Sequence, residues 1–294
     1  MKTLYDYLEE ARATKTAIAH FNISDFAALG AIMDGAKKVS REAGNAIPII
    51  IGVSEGERAF IGVRQVAALI ASIREQEPYP VFLNADHTHT LRGVEDAVRA
   101  GYDAVIFDGA QYVLEENIKK TKEAADAARA IRSDVIIEGE LGYIGTSSEV
   151  LHVIPEGASQ GDYLTTVPDA ERFVAETGVN LFAPAVGNLH GILKDVPEPH
   201  LDIARIEALH ASLNTPLVLH GGSGTRDEEF IAAIRAGISI VHISTELRVA
   251  WRAGIEETLA THPEEVAPYK LLLNAREDMG LIVEKRLKLF QHLV

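Results

Sequence analysis

The sequence contains no cysteine among its 294 residues. Thiol nucleophiles, Cys-ligated zinc and iron–sulfur clusters are therefore excluded, and any metal must be held by His, Asp or Glu. Positive charge is also scarce, because 28 Lys and Arg stand against 43 Asp and Glu and leave a formal net charge of -15. This balance argues against a broad surface for nucleic acid or for an anionic membrane, although a local pocket could still bind a small anion.

Long apolar runs are absent as well. The first 15 residues carry acidic side chains without the apolar stretch of a signal peptide, and no segment approaches the roughly 20 apolar residues of a membrane span. Hydrophobic residues make up 47% and charged residues 24% of the chain, as in ordinary globular proteins. We therefore expect a cytoplasmic protein with a large core and no membrane partner.

Short apolar runs alternate with longer amphipathic segments along the whole chain. The apolar runs are residues 17–22, 47–53, 80–85, 104–107, 134–140, 179–186, 216–220 and 238–243. Eight such units predict an α/β fold of the (β/α)8 TIM-barrel type, with one domain over residues 1–294 and a C-terminal helical extension at 246–261 and 269–293. A doubly wound sheet shares this alternation and is the alternative. One long connection, residues 142–168, lacks a helical period and is of the length at which loops are often functional.

Polar side chains that can bind metal follow several of these runs. They are Asp86, His87, Asp108, Glu138, Glu140, His190 and His220. In a barrel, the carboxyl ends of the strands form the catalytic face, so these groups are expected to meet on one rim. Three neutral imidazoles with an open fourth position are a known catalytic zinc arrangement, although iron, manganese or cobalt could also use nitrogen ligands. Each histidine taken alone could instead be a hydrogen-bonded structural residue.

Two neighbouring strand ends are suited to binding an anion. LHGGSG at 219–224 is a glycine-rich turn with a hydroxyl at Ser223, and Ser244 and Thr245 follow the last strand. Backbone N–H groups in such turns can approach a phosphate, and barrels often bind phosphate at their last two strands. Lys194 could add positive charge. The alternative is a tight turn that requires glycine only for its positive φ.

These motifs, taken in order, resemble the class II, metal-dependent ketose-bisphosphate aldolases. The matching pieces are AHFNIS, IIIGVSEGERAFIG, NADHTH, AVIFDGA, LEENIKKTKEAA, IEGELGYIG, GNLHG, PLVLHGGSGT, TELR and NAREDM, which cover nearly the whole chain. The resemblance implies a TIM barrel that cleaves a ketose phosphate, most simply fructose 1,6-bisphosphate, into dihydroxyacetone phosphate and an aldehyde. Tagatose bisphosphate or another anionic ketose phosphate is the alternative substrate.

The resemblance also implies roles for individual residues. Zn²⁺ would be held by His87, His190 and His220, while Asp108 and Glu140 match carboxylates that hold a second or displaced metal in some members. Asp86 matches the catalytic acid/base, and Glu149 on the long loop is the nearest counterpart of a second proton donor. Binding of substrate or phosphate would fall to Asn22, Ser54, Gly191, Lys194, Gly221, Ser223, His242, Ser244, Thr245 and Arg276. Arg276 matches an arginine that grips the distal phosphate, sometimes across a subunit boundary, and members are usually homodimers or homotetramers.

Three positions depart from the family pattern. The acidic loop reads Gly-Thr-Ser-Ser-Glu at 145–149, and the last strand carries His242 where the family usually has asparagine. His20 stands on the first strand where a small residue is common. The first and last strands of a barrel are neighbours, so His20 and His242 could meet inside the site or be unrelated interior residues. Two alternatives follow from these departures: a sugar-phosphate-binding relative that no longer catalyses, and a metal-dependent hydrolase, which would normally show His-x-His on the first strand.

Overall fold

Eight parallel strands close into a barrel. The computed structural model describes residues 2–145, 148–156 and 164–293. The barrel strands are β1 (Ile18–Asn22), β2 (Ile49–Val53), β3 (Val81–Thr88), β4 (Ala104–Phe107), β5 (Ile136–Leu141), β7 (Leu181–Pro184), β9 (Leu217–Leu219) and β10 (Ile238–Ile243). Their order is β1-β10-β9-β7-β5-β4-β3-β2, closed from β2 back to β1. The predicted (β/α)8 barrel is confirmed, and closure of the sheet excludes the doubly wound alternative.

Helices surround this barrel. Those described are α1 (Leu4–Thr14), α2 (Phe26–Ala43), α3 (Glu55–Ile61), α4 (Val63–Gln76), α5 (Leu91–Ala100), α6 (Leu114–Ile131), α7 (Val167–Thr177), α8 (Ile203–Ser212), α9 (Asp227–Ala236), α10 (Thr245–Thr261), α11 (Pro268–Leu271) and α12 (Leu273–Phe290). The sequence patterns did not indicate α1 or α3, and they merged α11 and α12 into one helix. Within the described ranges, no helix has both the length and the apolar character needed to cross a bilayer.

Capping residues and glycines explain where two of the helices begin and end. The Thr90 side chain accepts a hydrogen bond from the backbone N–H of Gly93 at the start of α5, and Gly101 ends the helix with a φ of 98°. Asp25 caps α2 in the same way, and Gly44 ends that helix with a left-handed backbone. These two helices are therefore delimited by a polar cap at the start and a glycine at the end.

The barrel interior changes from apolar to polar along its axis. At the amino end of the strands, Ile18, Ile50 and Ile240 form part of a buried layer on which Leu4 and Leu8 of α1 pack. A second and larger apolar cluster lies between the outer faces of the strands and the helices. Burial of these side chains stabilises the barrel by about 25 cal/mol for each Å² of apolar surface removed from water. The apolar layer leaves the carboxyl-end half of the barrel free for polar groups.

Strand β1 shows this gradient in a single segment. Side chains alternate between the two faces of a strand, so Ile18, His20 and Asn22 share the interior face. Ile18 belongs to the apolar layer, whereas His20 and Asn22 are buried polar residues one and two layers higher. Burying a polar group costs free energy unless it is hydrogen-bonded or paired with a charge. The polar layers near the carboxyl ends of the strands are therefore where we look for a functional site.

Candidate metal centre

Two consecutive residues of β3 both point into the barrel mouth. Strict alternation would send Asp86 and His87 to opposite faces of the sheet. The pairing of β3 with β4 shifts register between Ala85 and Thr88, and His87 has a φ of 38°. A β-bulge of this kind changes the direction in which side chains point. A left-handed backbone at a residue other than glycine is strained, and surrounding contacts must offset that strain. The bulge therefore presents a carboxylate and an imidazole side by side.

His87, His190 and His220 converge at the carboxyl end of the barrel. Each can offer a ring nitrogen such that all three nitrogens lie within 4.8 Å of one another. His87 Nε2 and His220 Nδ1 are 3.2 Å apart. The structure thus brings together the three histidines that the sequence pattern singled out.

The second nitrogen of each of these imidazoles meets an oxygen. His87 Nδ1 lies 2.8 Å from Asp108 Oδ2, His190 Nδ1 lies 3.0 Å from the carbonyl oxygen of Gly145, and His220 Nε2 lies 2.6 Å from Glu138 Oε1. Oxygen partners of this type fix the tautomer and the orientation of a metal-binding histidine. The opposite nitrogen of each ring is left to face the common centre.

The charges around this point favour a cation. Burial opposes the charged imidazolium, but the negative charge of Asp86 and the hydrogen bond to Asp108 raise the pKa of His87 to about 10. Burial, together with the charge on His87, lowers the pKa of His190 and of His220 to about 3. Two neutral imidazoles therefore flank a point at which carboxylates stabilise one positive charge.

A divalent metal fits these residues. The donors are imidazole nitrogens, each oriented through its other nitrogen, and the ionised carboxylates of Asp86 and Asp108 lie beside them. Glu140 Oε2 is buried without a hydrogen-bond partner and lies 3.9 Å from both His87 Nδ1 and His220 Nδ1. A second set of possible ligands, His87 with Asp108 and Glu140, shares His87 with the first set. Asp108 already contacts His87 Nδ1, so in this arrangement it orients the histidine.

Asp86 lies beside this centre, and one of its two carboxylate oxygens is held by a hydrogen bond. Asn22 donates its side-chain N–H to Oδ2 at 2.9 Å, and His242 Nδ1 lies 3.4 Å from Oδ1. Burial disfavours the carboxylate, but the neighbouring His87 and His242 hold the pKa of Asp86 well below its usual range. Asp86 is therefore an ionised, buried carboxylate that can accept a proton.

His20 and His242 meet inside the barrel as parallel stacked rings. They are register partners on β1 and β10, and their centroids lie 3.5 Å apart with an interplanar angle of 6°. Space for the His20 ring exists because residue 52 is glycine, where an added Cβ would lie 2.0 Å from His20 Cε1. Burial lowers the pKa of both imidazoles, so the pair is neutral. The sequence alternative of two unrelated interior residues is thereby excluded.

The stacked pair is poorly arranged to bind one metal ion. His20, Asp86 and His242 could place ligand atoms within 4.8 Å of one another. However, an imidazole binds a metal along its lone pair, which lies in the ring plane. Two parallel planes 3.5 Å apart do not intersect at a common ion. The His87, His190 and His220 cluster, whose rings are inclined to one another by 68–80°, is the better metal site.

Two cavities share the metal-centre residues. The narrower one is lined by the metal-centre histidines together with Gly191, Gly221, Ser223, Ser244 and Thr245, and its volume is about 20 Å³. Backbone N–H groups of Ser244 and Glu246, at the start of α10, point to Ser223 Oγ. A volume of this size holds about one water molecule. A phosphoryl group would therefore have to displace a neighbour such as Ser148 on entering.

The wider cavity opens onto the long loop and has a volume of about 610 Å³. Asn22, Ser54 and Asp86 line it, as do Asp108 and Glu140. Its volume lies within the usual range for small-molecule sites. The two cavities thus contain most of the residues that the sequence pattern assigned to substrate or metal.

Three sequence-predicted residues lie away from both cavities. Lys194 is exposed beside the two-stranded sheet formed by β6 (Val150–Leu151) and β8 (Ile192–Leu193). Glu149 is exposed next to β6 and contacts Ile192 through its backbone oxygen. Arg276 is on α12, where it forms an ion pair with Asp34 of α2. Their predicted roles in substrate binding and proton transfer remain predictions.

The sequence analysis named Glu138 among the strand-end carboxylates but gave it no role, whereas in the structure it orients His220. It did not identify Glu57, which accepts a hydrogen bond from Asn22 at 3.0 Å, or Arg248, which lines the wider cavity. Strand alternation indicates the position of Glu138, because it shares the interior face of β5 with Glu140. Glu57 and Arg248 lie on the first turns of helices, where acidic and basic residues are common and carry no comparable signal.

Fold and site together define a barrel enzyme whose histidines and carboxylates meet at the carboxyl ends of the strands. Residues 2–293 match the family model described as fructose-bisphosphate aldolase class-II. The chain therefore belongs to the class II fructose-bisphosphate aldolases, which are metal-dependent carbon–carbon lyases.

Individual relatives agree with this placement. The chain is 34% identical to 6-phospho-5-dehydro-2-deoxy-D-gluconate aldolase of Shouchella clausii (strain KSM-K16), with 96% of this chain and 92% of that protein covered. It is 30% identical to fructose-bisphosphate aldolase of Geobacillus stearothermophilus, with 98% and 96% covered. Among solved structures, the YdjI aldolase of Escherichia coli K12 superimposes with a TM-score of 0.79 at 25% identity, covering 98% of this chain and 96% of that one.

Proposed function

We propose that this enzyme reversibly cleaves a ketose 1-phosphate with a second anionic group at the far end, most simply fructose 1,6-bisphosphate. The products would be dihydroxyacetone phosphate and an aldehyde such as glyceraldehyde 3-phosphate. The observation that carries the proposal is the convergence of His87, His190 and His220 next to the ionised carboxylate of Asp86. Cleavage of the carbon–carbon bond next to a hydroxyl needs a base that accepts the hydroxyl proton. It also needs a group that stabilises the enediolate formed from the ketose fragment.

The three histidines would hold a divalent metal, for which we propose Zn²⁺. When bound, the metal supplies Lewis-acid stabilisation of negative charge on the oxygens of the ketose fragment. Glu138, Asp108 and the Gly145 carbonyl keep the ring nitrogens aimed at one point. A second metal or a monovalent cation would use the carboxylate of Glu140, whose Oε2 has no hydrogen-bond partner.

Asp86 would move the proton during cleavage. Its low pKa keeps it ionised at neutral pH, so it can take the proton of the C4 hydroxyl and return it in condensation. Asn22 holds Oδ2 through a 2.9 Å hydrogen bond, which leaves Oδ1 as the oxygen nearer to the metal-centre histidines. Glu149 remains our proposal for the acid that protonates the enediolate carbon, and it would have to move from its exposed position.

The C1 phosphate would bind at the carboxyl ends of β9 and β10. Gly221 has a φ of 59°, and an added Cβ there would lie 2.4 Å from the Leu189 carbonyl oxygen. Glycine is therefore required for this turn to lie against the loop that connects β7 to β8. The amino terminus of α10 adds backbone N–H groups and the positive end of a 17-residue helix. Gly191, Ser223, Ser244 and Thr245 would complete the phosphate site, with Lys194 and Arg276 as further candidates.

A second candidate substrate follows from the relative in Shouchella clausii. Its name specifies a phosphorylated sugar acid, 6-phospho-5-dehydro-2-deoxy-D-gluconate. That compound carries a phosphate at one end and a carboxylate at the other, so it shares two anionic ends with fructose 1,6-bisphosphate. Tagatose 1,6-bisphosphate, which differs only in configuration at C4, is the third. We further propose a cytoplasmic homo-oligomer, a dimer or tetramer, as the active form.

The test is a cleavage assay in which release of dihydroxyacetone phosphate is coupled to NADH oxidation. Fructose 1,6-bisphosphate, tagatose 1,6-bisphosphate, fructose 1-phosphate and 6-phospho-5-dehydro-2-deoxy-D-gluconate would be compared. Activity should disappear in chelator and return with added Zn²⁺. Absence of product from every substrate, in enzyme with a full complement of metal, would overturn the proposal. Full activity in excess chelator with no metal detected would overturn the metal assignment.

A further inference from the structure

Residues 86–88, which form the β3 bulge, lie where strand pairing is interrupted on both sides of β3. The register pairing with β2 ends at Val53 and Ala85, the point where β2 itself ends. On the other side, the pairing with β4 shifts register between Ala85 and Thr88. His87 lies inside this interval with a φ of 38°. A strained backbone persists only where its surroundings hold it, so the β3 bulge depends on contacts from outside the sheet.

Arg58 of α3 supplies such contacts. Its Nη1 donates to the carbonyl oxygen of Asp86 at 2.8 Å and also to the carbonyl oxygen of Val53. Its Nη2 donates to Thr88 Oγ1 at 2.9 Å. The two terminal nitrogens of one guanidinium therefore connect the end of β2 to both ends of the β3 bulge.

The contacts of Arg58 fix backbone position and do not neutralise its charge. Only 4% of the residue is exposed. Buried arginines are normally paired with a carboxylate. The side-chain hydrogen bonds of Arg58 to described residues instead go to two backbone carbonyls and a hydroxyl. A guanidinium is a rigid planar fork, so these bonds hold their acceptors in a defined arrangement.

The residue before Arg58 holds the side chain of the same aspartate. Glu57 accepts a hydrogen bond from Asn22 at 3.0 Å, and Asn22 also donates to Asp86 Oδ2 at 2.9 Å. Glu57 Oε2 in turn accepts from the backbone N–H of Ser54 at 2.7 Å, which ties the carboxylate to the start of α3. The helix α3 therefore fixes Asp86 at two points, the carboxylate through Glu57 and Asn22 and the carbonyl oxygen through Arg58.

We propose that Arg58 is a positioning residue that holds the β3 bulge in the conformation in which Asp86 and His87 both face the barrel mouth. It acts through the backbone of these two residues. The inference rests on the proposed function, in which Asp86 moves a proton and His87 binds metal. It predicts that lysine cannot replace Arg58, because an ammonium has one nitrogen whereas the contacts to Asp86 and Thr88 use two.

The test compares variants that lose these contacts to different degrees. Arg58→Lys keeps the positive charge but cannot reach both acceptors, and Arg58→Met removes every donor while keeping an unbranched side chain. Thr88→Val removes the acceptor of Nη2 from the other side, whereas Thr88→Ser retains it. The matched control is Arg64→Lys, the same exchange at an exposed position on α4.

Two of the readouts require no substrate. Competition with a chelator gives the affinity for Zn²⁺, and the absorption spectrum of bound Co²⁺ reports the geometry of the ligands. Urea unfolding of the metal-free proteins shows whether each variant is folded. For whichever of the four substrates named above is cleaved, kcat and KM of the fully metal-loaded enzyme report how Asp86 is placed.

Arg58→Met should bind Zn²⁺ about 10- to 100-fold more weakly and show an altered Co²⁺ spectrum, because His87 loses its fixed direction. At saturating metal, kcat should fall about 10- to 100-fold with a smaller change in KM, since a displaced Asp86 affects proton transfer more than binding. Arg58→Lys and Thr88→Val should lie between Arg58→Met and wild type. Thr88→Ser should recover most of the loss seen in Thr88→Val, and Arg64→Lys should match wild type.

Three outcomes would overturn the inference alone. The first is wild-type metal affinity, Co²⁺ spectrum and kcat in folded Arg58→Met or Thr88→Val; lower stability in urea with these values unchanged would mean a purely structural role. The second is full function in Arg58→Lys beside losses in Arg58→Met, which would mean that charge and not the two-nitrogen contact is needed. The third is an equal loss in Thr88→Ser and Thr88→Val.

Failure of the proposed function would look different. A metal-loaded wild-type enzyme that cleaves none of the substrates would overturn that function, while metal affinity and the Co²⁺ spectrum would still test the effect of Arg58 on His87. If the Arg58 variants do not fold, the comparison of Thr88→Val with Thr88→Ser carries the same test.

Discussion

Glu138 is predicted to hold the metal centre together without touching the metal. It is buried on β5 and lies 2.6 Å from His220 Nε2. For His220 to bind metal through Nδ1, the proton must be on Nε2, and the Glu138 carboxylate is the acceptor that keeps it there. Removing an oxygen partner of this kind usually lowers metal affinity by about 10- to 100-fold, or about 1.4–2.7 kcal/mol. We expect Glu138→Ala to lie near the upper end of that range.

Glu138→Gln separates geometry from charge. The glutamine can still present an oxygen to His220 Nε2, but it lacks the negative charge that strengthens the hydrogen bond. Its loss of metal affinity should therefore lie between those of wild type and Glu138→Ala. Glu256→Gln, an exposed carboxylate that pairs with Arg252, is the control and should bind metal as wild type does.

Metal affinity would be measured by competition with a chelator of known affinity, using Zn²⁺ and Co²⁺. The absorption of bound Co²⁺ reports ligand geometry independently of catalysis. Urea unfolding of the metal-free proteins would show whether the variants are folded. Wild-type affinity in both Glu138 variants would refute the reasoning, since it would mean either that His220 needs no orienting partner or that it is not a ligand.

Three further predictions concern other parts of the structure. Asp86→Asn should retain bound metal but lose about 10²- to 10⁴-fold in turnover, because an amide cannot accept the hydroxyl proton; normal turnover would reject the role. Gly52→Ala should lower the free energy of unfolding by about 1–3 kcal/mol in urea titrations, because its Cβ would overlap His20, and His20→Ala should relieve part of this in the double variant. Burial raises the pKa of Tyr79 to about 12, against about 10 in an unfolded chain, so folding favours the neutral phenol. The stability that this contributes is complete below pH 10 and is lost as pH rises towards 12, so wild type should lose about 2–3 kcal/mol relative to Tyr79→Phe over that interval, and a constant difference would contradict it.

The fold was predictable because its signals are local and repeated. Each strand is a short apolar run, and most helices show apolar residues at the helical repeat of about 3.6 residues. Two neighbouring parallel strands also require a crossover connection, usually a helix, between them. The helix α1 was missed because it precedes the first strand, so no parallel pair of strands requires it. Its role of closing the amino end of the barrel depends on contacts with Ile18 and Ile240, and Ile240 is distant in sequence.

The site was predictable in its residues more than in its geometry. Strand ends indicated which histidines would meet, but alternation alone would have placed Asp86 and His87 on opposite faces. Only the register shift and the positive φ at His87 bring both into the mouth of the barrel. Backbone irregularities of this kind depend on the packing of neighbouring strands, which a single sequence does not reveal.

The stacked imidazoles show how the fold accommodates two interior rings on neighbouring strands. A ring at position 20 needs an empty neighbour, and Gly52 on β2 provides it. A ring at position 242 needs a flat partner, and His20 provides it at 3.5 Å. Because both rings are neutral and buried, they add no charge to the negative potential that favours a metal at His87, His190 and His220. His242 lies against Asp86, so the stacked pair forms part of the surroundings of that carboxylate, next to the three converging histidines.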